Sequence, residues 1–203
     1  MREFISKVRI LRWDDHRYYH QSRINQTLHL ISAVSFVAAY VLLFIDPAKA
    51  AIFGWLVGMV TRQSGHIFFE PRSYDQINQS TYAHKESIKV GYNMQRKGVL
   101  IAVWLSMPVL LHFTPDLFGI LGPVTDFNGY VHRVGMAWLA LGVGGIIFRV
   151  AHLFFLRGPA WGLAWGCKIV TDPFHNIGIY WKSPLALLHG QWLDPLDADH
   201  HHA

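Results

Sequence analysis

Charge is scarce in this chain and thiols are nearly absent. Only 15% of the 203 residues are Asp, Glu, Lys or Arg, against about 25% in an average soluble domain. The single cysteine, Cys167, excludes an intramolecular disulfide and any multi-thiolate metal site, and fits a reducing compartment. Basic residues are missing altogether from 114–130, which holds Asp116 and Asp126 but no Lys or Arg. Internal repeats and low-complexity tracts are absent. The N-terminal MREFISKVRILRWDD has neither an uninterrupted apolar core nor a small-residue cleavage site, which predicts no cleaved leader.

What is abundant is apolar sequence, 52% of the chain, gathered into blocks at 27–45, 50–69, 98–113 and 131–156. A bilayer-spanning helix needs about 20 mostly apolar residues. The third block is short and holds Pro108, so tilt, a kink or borrowed flanking residues are expected there. The competing reading is a soluble all-α protein, but soluble cores rarely use four long apolar blocks with so few charges inside them. The predicted class is therefore all-α, an integral membrane protein with four transmembrane helices plus interfacial helices. It forms one domain, with a cytoplasmic N-terminal segment at 1–23, a four-span core at 24–156, and an interfacial helix and cytoplasmic tail at 157–203.

The sparse charges orient it. Arg2, Lys7, Arg9, Arg12, Arg17 and Arg23 precede the first block; Arg72, Lys85, Lys89, Arg96 and Lys97 lie in 71–97; Arg157, Lys168 and Lys182 follow the fourth. Cytoplasmic loops carry the excess of Lys and Arg, so both termini and 71–97 are expected in the cytoplasm and 114–130 outside. Juxtamembrane placement explains the formal net charge of +5 as attraction to a lipid surface, and the bilayer rather than nucleic acid is the expected partner. Residues 1–18 space their apolar side chains helically, as a helix on the inner surface would. Segment 71–97 should be a loop followed by a helix running into the third span. Trp161 and Trp165 mark a short interfacial helix at 158–170, and 171–198, with Pro173, Pro184 and Pro195, should be an irregular tail.

Against this apolar background the histidines stand out, because an ionisable side chain at membrane depth requires a partner. The topology puts His112 and His132 near the outer face and His20, His29, His66, His84, His152 and His175 near the inner one. His29 and His66 fall at similar depth on successive spans. Asn25 and His29 share a helix face at i, i+4, as do His66 and Glu70. Gly65 permits close approach of another helix or a ligand. His20, nine residues before His29, can join them only if a helix begins after it, near Ser22. Imidazole with carboxylate suits iron or zinc. Four further residues are possible additions to the site. His84 and Glu86 are two apart, so a helix would separate them; His152 is equally suited to a core hydrogen bond; His175 could cap the site from the tail. Tyr18, Tyr19 and Trp55 suit the membrane interface, Glu70 could also be a solvated carboxylate where a span ends, and the terminal histidines read as a loose tail.

The spacing of His20, Asn25 and His29 (a histidine, four residues, an asparagine, three residues, a histidine) resembles the opening motif of the membrane-embedded, iron-dependent 2-hydroxy fatty acid dioxygenases of fungal phytosphingosine breakdown. Trp55, Gln63, Gly65, His66 and Glu70 resemble the second motif, with the Gln63–Gly65 interval one residue shorter and PRSYDQ in place of the family's Pro-Ala-Leu. The likeness covers the first third of the chain. It implies Fe(2+) held by His20, His29 and His66, with Glu70 as a fourth ligand or as the acceptor that orients an imidazole, and Asn25 orienting His20 or His29. It implies molecular oxygen and a 2-hydroxy fatty acid as substrates, the product being the acid one carbon shorter. Arg23, Arg62, Arg72 or Lys85 would receive the carboxylate, with the acyl tail between spans. A membrane lipid hydroxylase, or a non-catalytic lipid- or partner-binding protein, are the alternatives. The dense His-x-x-His-His boxes of known membrane hydroxylases and desaturases are missing outside the tail.

Overall fold

The structure, a computed structural model, describes residues 1–195; the terminal histidines lie outside them. Among the described residues it is helical throughout, with only two isolated bridges, Ser22–Leu193 and Asp75–Ser80. Helix α1, Arg2–Tyr19, stops at His20. The chain turns extended at Ser22, whose hydroxyl accepts from the Asn25 amide at 3.4 Å and caps α2, Arg23–Leu42. The break that His20 requires is therefore present, and a Ser cap makes it.

After a turn, Asp46 caps the next helix through the Lys49 amide at 3.0 Å, with Pro47 in the first turn. This helix runs on through three parts: α3, Pro47–Phe53; a π-helical segment, Gly54–Met59; and α4, Val60–Phe68. It lies antiparallel to α2, since Gly54 faces Phe36 and Ala39, Gly58 faces the Phe36 ring, and Gly65 faces Asn25 and His29.

Helix α5, Tyr82–Ile88, does not continue into α6, Met94–Phe113, as the sequence suggests. Lys89 turns extended, Asn93 caps α6 through the Arg96 amide, and the Glu86 carboxylate takes the Met94 amide at 2.6 Å. Two local acceptors at 86 and 93 thus restart the helix. Helix α7, Phe127–Arg157, ends at Gly158, whose φ of 96° is natural only for glycine. Helix α8, Pro159–Tyr180, corrects the expectation of a short interfacial helix followed by an irregular tail. It runs on through Pro173, and Lys168, paired with Asp172 one turn on and with Asp15, joins it to α1. Helix α9, Ser183–Leu188, follows, and the chain returns to the α1–α2 joint, where Arg23 donates to Trp192 and Asp194 to Gln21 through their backbones.

Three helices, α2, α6 and α7, are long and apolar enough to cross a membrane. Helices α6 and α7 leave Val99, Val109, Ile147 and Phe148 on an outward face. The helices meet through small residues, which let backbones approach. A Cβ at Gly135 would stand 2.5 Å from the Ala48 carbonyl oxygen, and one at Gly162 would stand 2.6 Å from that of Val150. Gly162→Val should therefore force α7 and α8 apart and cost roughly 1–3 kcal/mol. Thermal unfolding in detergent measures this, and an unchanged midpoint would contradict the packing.

Candidate metal centre

The α1–α2 break folds the His20 imidazole back over α2, and the antiparallel hairpin brings His66 to the same level. His20, His29 and His66 form a buried cluster, each offering a ring nitrogen within 4.8 Å of the others. The ring centroids lie 4.1 Å (20–29), 4.8 Å (29–66) and 5.0 Å (20–66) apart, all edge-on. Nε2 of His20 and Nε2 of His29 are 3.0 Å apart.

The outer nitrogens determine what the inner ones can do. Nδ1 of His20 lies 2.7 Å from the Asp15 carbonyl oxygen. A carbonyl has no proton to give, so Nδ1–H donates and Nε2 carries a lone pair. Burial lowers the His20 pKa to about 3 although Asp15 pulls the other way, so the ring is a neutral donor at neutral pH. Nδ1 of His66 faces Oε2 of Glu70 at 2.8 Å, again leaving Nε2 toward the cluster. An imidazole whose far nitrogen is held by a carbonyl or carboxylate is the usual arrangement of a metal-ligating histidine. Nδ1 of His29 and Oδ1 of Asn25, one turn apart, are buried without hydrogen-bond partners.

The supports are themselves buried or, for Asp15, half-buried. Asp15 also pairs with Lys168 at 3.0 Å, and the lysine holds its carboxyl well below the usual range against the opposing effect of burial. Burial raises Glu70, while Lys89 at 3.6 Å and Lys97 act to lower it. Asn25 donates to the Tyr19 carbonyl at 2.7 Å, and Gln26 to the His20 carbonyl at 2.7 Å, so α2 grips both ends of the break. The Tyr180 ring lies 5.8 Å from that of His20 and 6.5 Å from that of His29.

A cavity of about 580 Å³ opens at His66. Arg62, Gln63, Lys89, Lys97 and Lys168 line its polar end. Away from that end it is apolar, walled by Trp55, Trp104 and Trp138, with Trp55 stacked on Trp104 at 5.5 Å and Trp104 5.2 Å from Trp138. The indoles of Trp55 and Trp138 are fixed by donating to the Trp138 and Trp104 carbonyls.

The remaining sequence candidates sort as follows. Glu70 stands behind His66 rather than in the cluster, and Asn25 packs against Gly65. His84 is exposed, and Glu86 caps α6 and pairs with Lys89. His152 faces Arg149, and His175 lines a separate cavity with His16 and Arg12. None of these four belongs to the cluster. Of the proposed carboxylate receivers only Arg62 lines the cavity. Arg23 pairs with Asp194, Lys85 is bonded to Asp75 and the Tyr18 carbonyl, and Arg72 donates to the Ile67 carbonyl. Sequence reasoning missed Asp15, Lys97, Lys168 and Tyr180. A charged residue at the edge of an apolar block was the available signal for Lys97.

No family model, curated protein or solved structure gives a significant match to this chain.

The tightest contact at the site is Gly65, where a methyl would stand 2.1 Å from Asn25 Oδ1. Gly65→Ala should expel Asn25 from its bond to Tyr19 and destabilise by about 1–3 kcal/mol, and Asn25→Ala in the same chain should recover part of the loss. Calorimetry of both variants checks this; additive losses would contradict it.

Proposed function

We propose that this chain is a four-span integral membrane metalloenzyme, an Fe(2+)-dependent dioxygenase that converts a 2-hydroxy fatty acid to the acid one carbon shorter. The observation that carries the reading is the convergence of three imidazoles, two of them held from behind by oxygen acceptors, one of which, His66, opens on the polar end of an apolar cavity. The Nε2 lone pair of His20 faces Nε2 of His29 at 3.0 Å, and the far nitrogen of His29 has no partner in the fold, so both rings can turn a donor nitrogen toward a shared cation.

His20, His29 and His66 would hold the metal. When bound, iron with open positions supplies dioxygen activation and a site that the hydroxyl and carboxylate of the substrate can chelate together. The chain's own residues do the rest. The Asp15 carbonyl and Glu70 fix the tautomers of His20 and His66 and aim Nε2 inward. Asn25, wedged against Gly65, keeps α2 and α4 at a fixed separation. The tryptophan-walled cavity takes the acyl tail and keeps water from the reacting end. An unhydroxylated fatty acid lacks the second donor atom and should turn over little.

The helix from Pro47 to Phe68 serves as the second span. Its antiparallel run beside α2 returns the chain to the side where it began, and the positive residues put that side, both termini and the metal centre in the cytoplasm. In a Cys167→Ser background, a cysteine at Asn128 should label from outside intact cells and one at Gln76 should stay protected. The reverse pattern would refute the orientation.

Metal analysis of purified protein is the central test. His29→Ala and His66→Ala should each lose most bound iron while still inserting, and Glu70→Ala should weaken metal binding by roughly 10–100-fold. Full occupancy in both histidine variants would reject the site. Oxygen-dependent shortening of 2-hydroxypalmitate, abolished by a chelator and not shown by palmitate, is the expected activity. Turnover of palmitate with its chain length retained would instead indicate a hydroxylase.

A further inference from the structure

Four cations line the tryptophan-walled cavity: Arg62, Lys89, Lys97 and Lys168. Three are matched within the fold. Arg62 has Asp172 at 3.8 Å, Lys89 has Glu86 at 3.3 Å and Glu70 at 3.6 Å, and Lys168 has Asp172 at 2.5 Å and Asp15 at 3.0 Å. Lys97 is different. It is only 8% exposed, yet it makes no hydrogen bond and no ion pair within 4.0 Å to any described residue. A few residues along the same cavity wall from His66, the buried Oε1 of Gln63 also lacks a partner. An ammonium on a largely buried side chain that opens only on the cavity is open to a partner from outside the fold.

We propose that Lys97 receives the anionic head group of the lipid that enters this cavity, so that the carboxylate is held at the His66 end while the tail lies along the tryptophan wall. The position of Lys97 fits this. It sits in the first turn of α6, seven residues before Trp104, a rise of about 10 Å along the helix. The charged end and the apolar wall are therefore two stations on one helix. A neutral lipid of the same length has nothing to offer the ammonium. The site selects acids over alcohols and esters before any chemistry takes place. This inference rests on reading the cavity as the acyl-chain site, and it concerns recognition, not the reaction.

The experiment is equilibrium binding to metal-free protein in lipid nanodiscs. It is read as quenching of the cavity tryptophans by ω-bromoundecanoic acid and by ω-bromoundecanol, each corrected for partition into empty nanodiscs. Wild type should bind the acid about 10- to 100-fold more tightly than the alcohol, the range of one charge-assisted hydrogen bond. Lys97→Met should bring the acid to the affinity of the alcohol and leave the alcohol unchanged. The same variant should unfold at a higher temperature without ligand, because it removes a charge whose burial the more distant Glu70 offsets only in part, whereas Lys97→Arg should keep the preference. Equal binding of both probes by wild type, an intact preference in Lys97→Met, or a Lys97→Met protein that fails to fold would each overturn the assignment. Because no metal is present, loss of the chain-shortening activity and loss of this preference are separate outcomes.

Discussion

The hydrogen bond from Nδ1 of His20 to the Asp15 carbonyl is the constraint on which the centre depends. It is available only because α1 ends at Tyr19, which lets His20 turn back over its own last turn. A continuous helix would set His20 and His29 half a turn out of phase, with their rings on opposite sides. The Ser22 cap, the Asn25 and Gln26 amides on the Tyr19 and His20 carbonyls, and the returning strand of chain at Trp192–Asp194 all satisfy backbone groups that this break would otherwise orphan. Much of the polar sequence around residue 20 is thus explained by one interruption.

Around the imidazoles the protein arranges charge in matched sets. Asp15 and Asp172 sit with Lys168 and Arg62 on one side, and Glu70 and Glu86 with Lys89 on the other. The first set anchors the turn whose Asp15 carbonyl holds His20 from behind, and the second anchors the Glu70 carboxylate that holds His66. Charges of this kind are costly to bury singly and tolerable as networks. Here they also supply the rigidity that a three-nitrogen centre needs, since the supporting groups are locked by ion pairs as well as by packing.

The histidine cluster was legible because it follows from local rules. The i, i+4 pairs, the small residue at 65 and the requirement for a helix start near Ser22 are each readable over a few residues, and the hairpin topology follows from charge placement. What the sequence concealed is long-range. Lys168 and Asp172 join the support only because α8 packs against α1, and nothing near residue 170 announces that. Pro173 argued for an irregular tail, and tertiary packing overrode it. The break at 89–93 was hidden for the opposite reason: helix-favouring residues continue through it, and the decision falls to the Glu86 and Asn93 side chains capturing amides. Lys97 looked like one more cytoplasmic lysine until its neighbours could be counted.

The π-helical segment at Gly54–Met59 has a consequence for how the chain tolerates changes in length. A π turn holds one residue more than the α turn it replaces, so the helix on either side keeps its phase. Deleting one residue inside this segment would restore an ordinary α-helix and leave His66 facing the cluster. Deleting one between Val60 and Gly65 would swing His66 by about 100° around the helix axis and carry it off the cavity. Length is therefore negotiable within the π-helical segment and fixed just beyond it, within a few residues of one another.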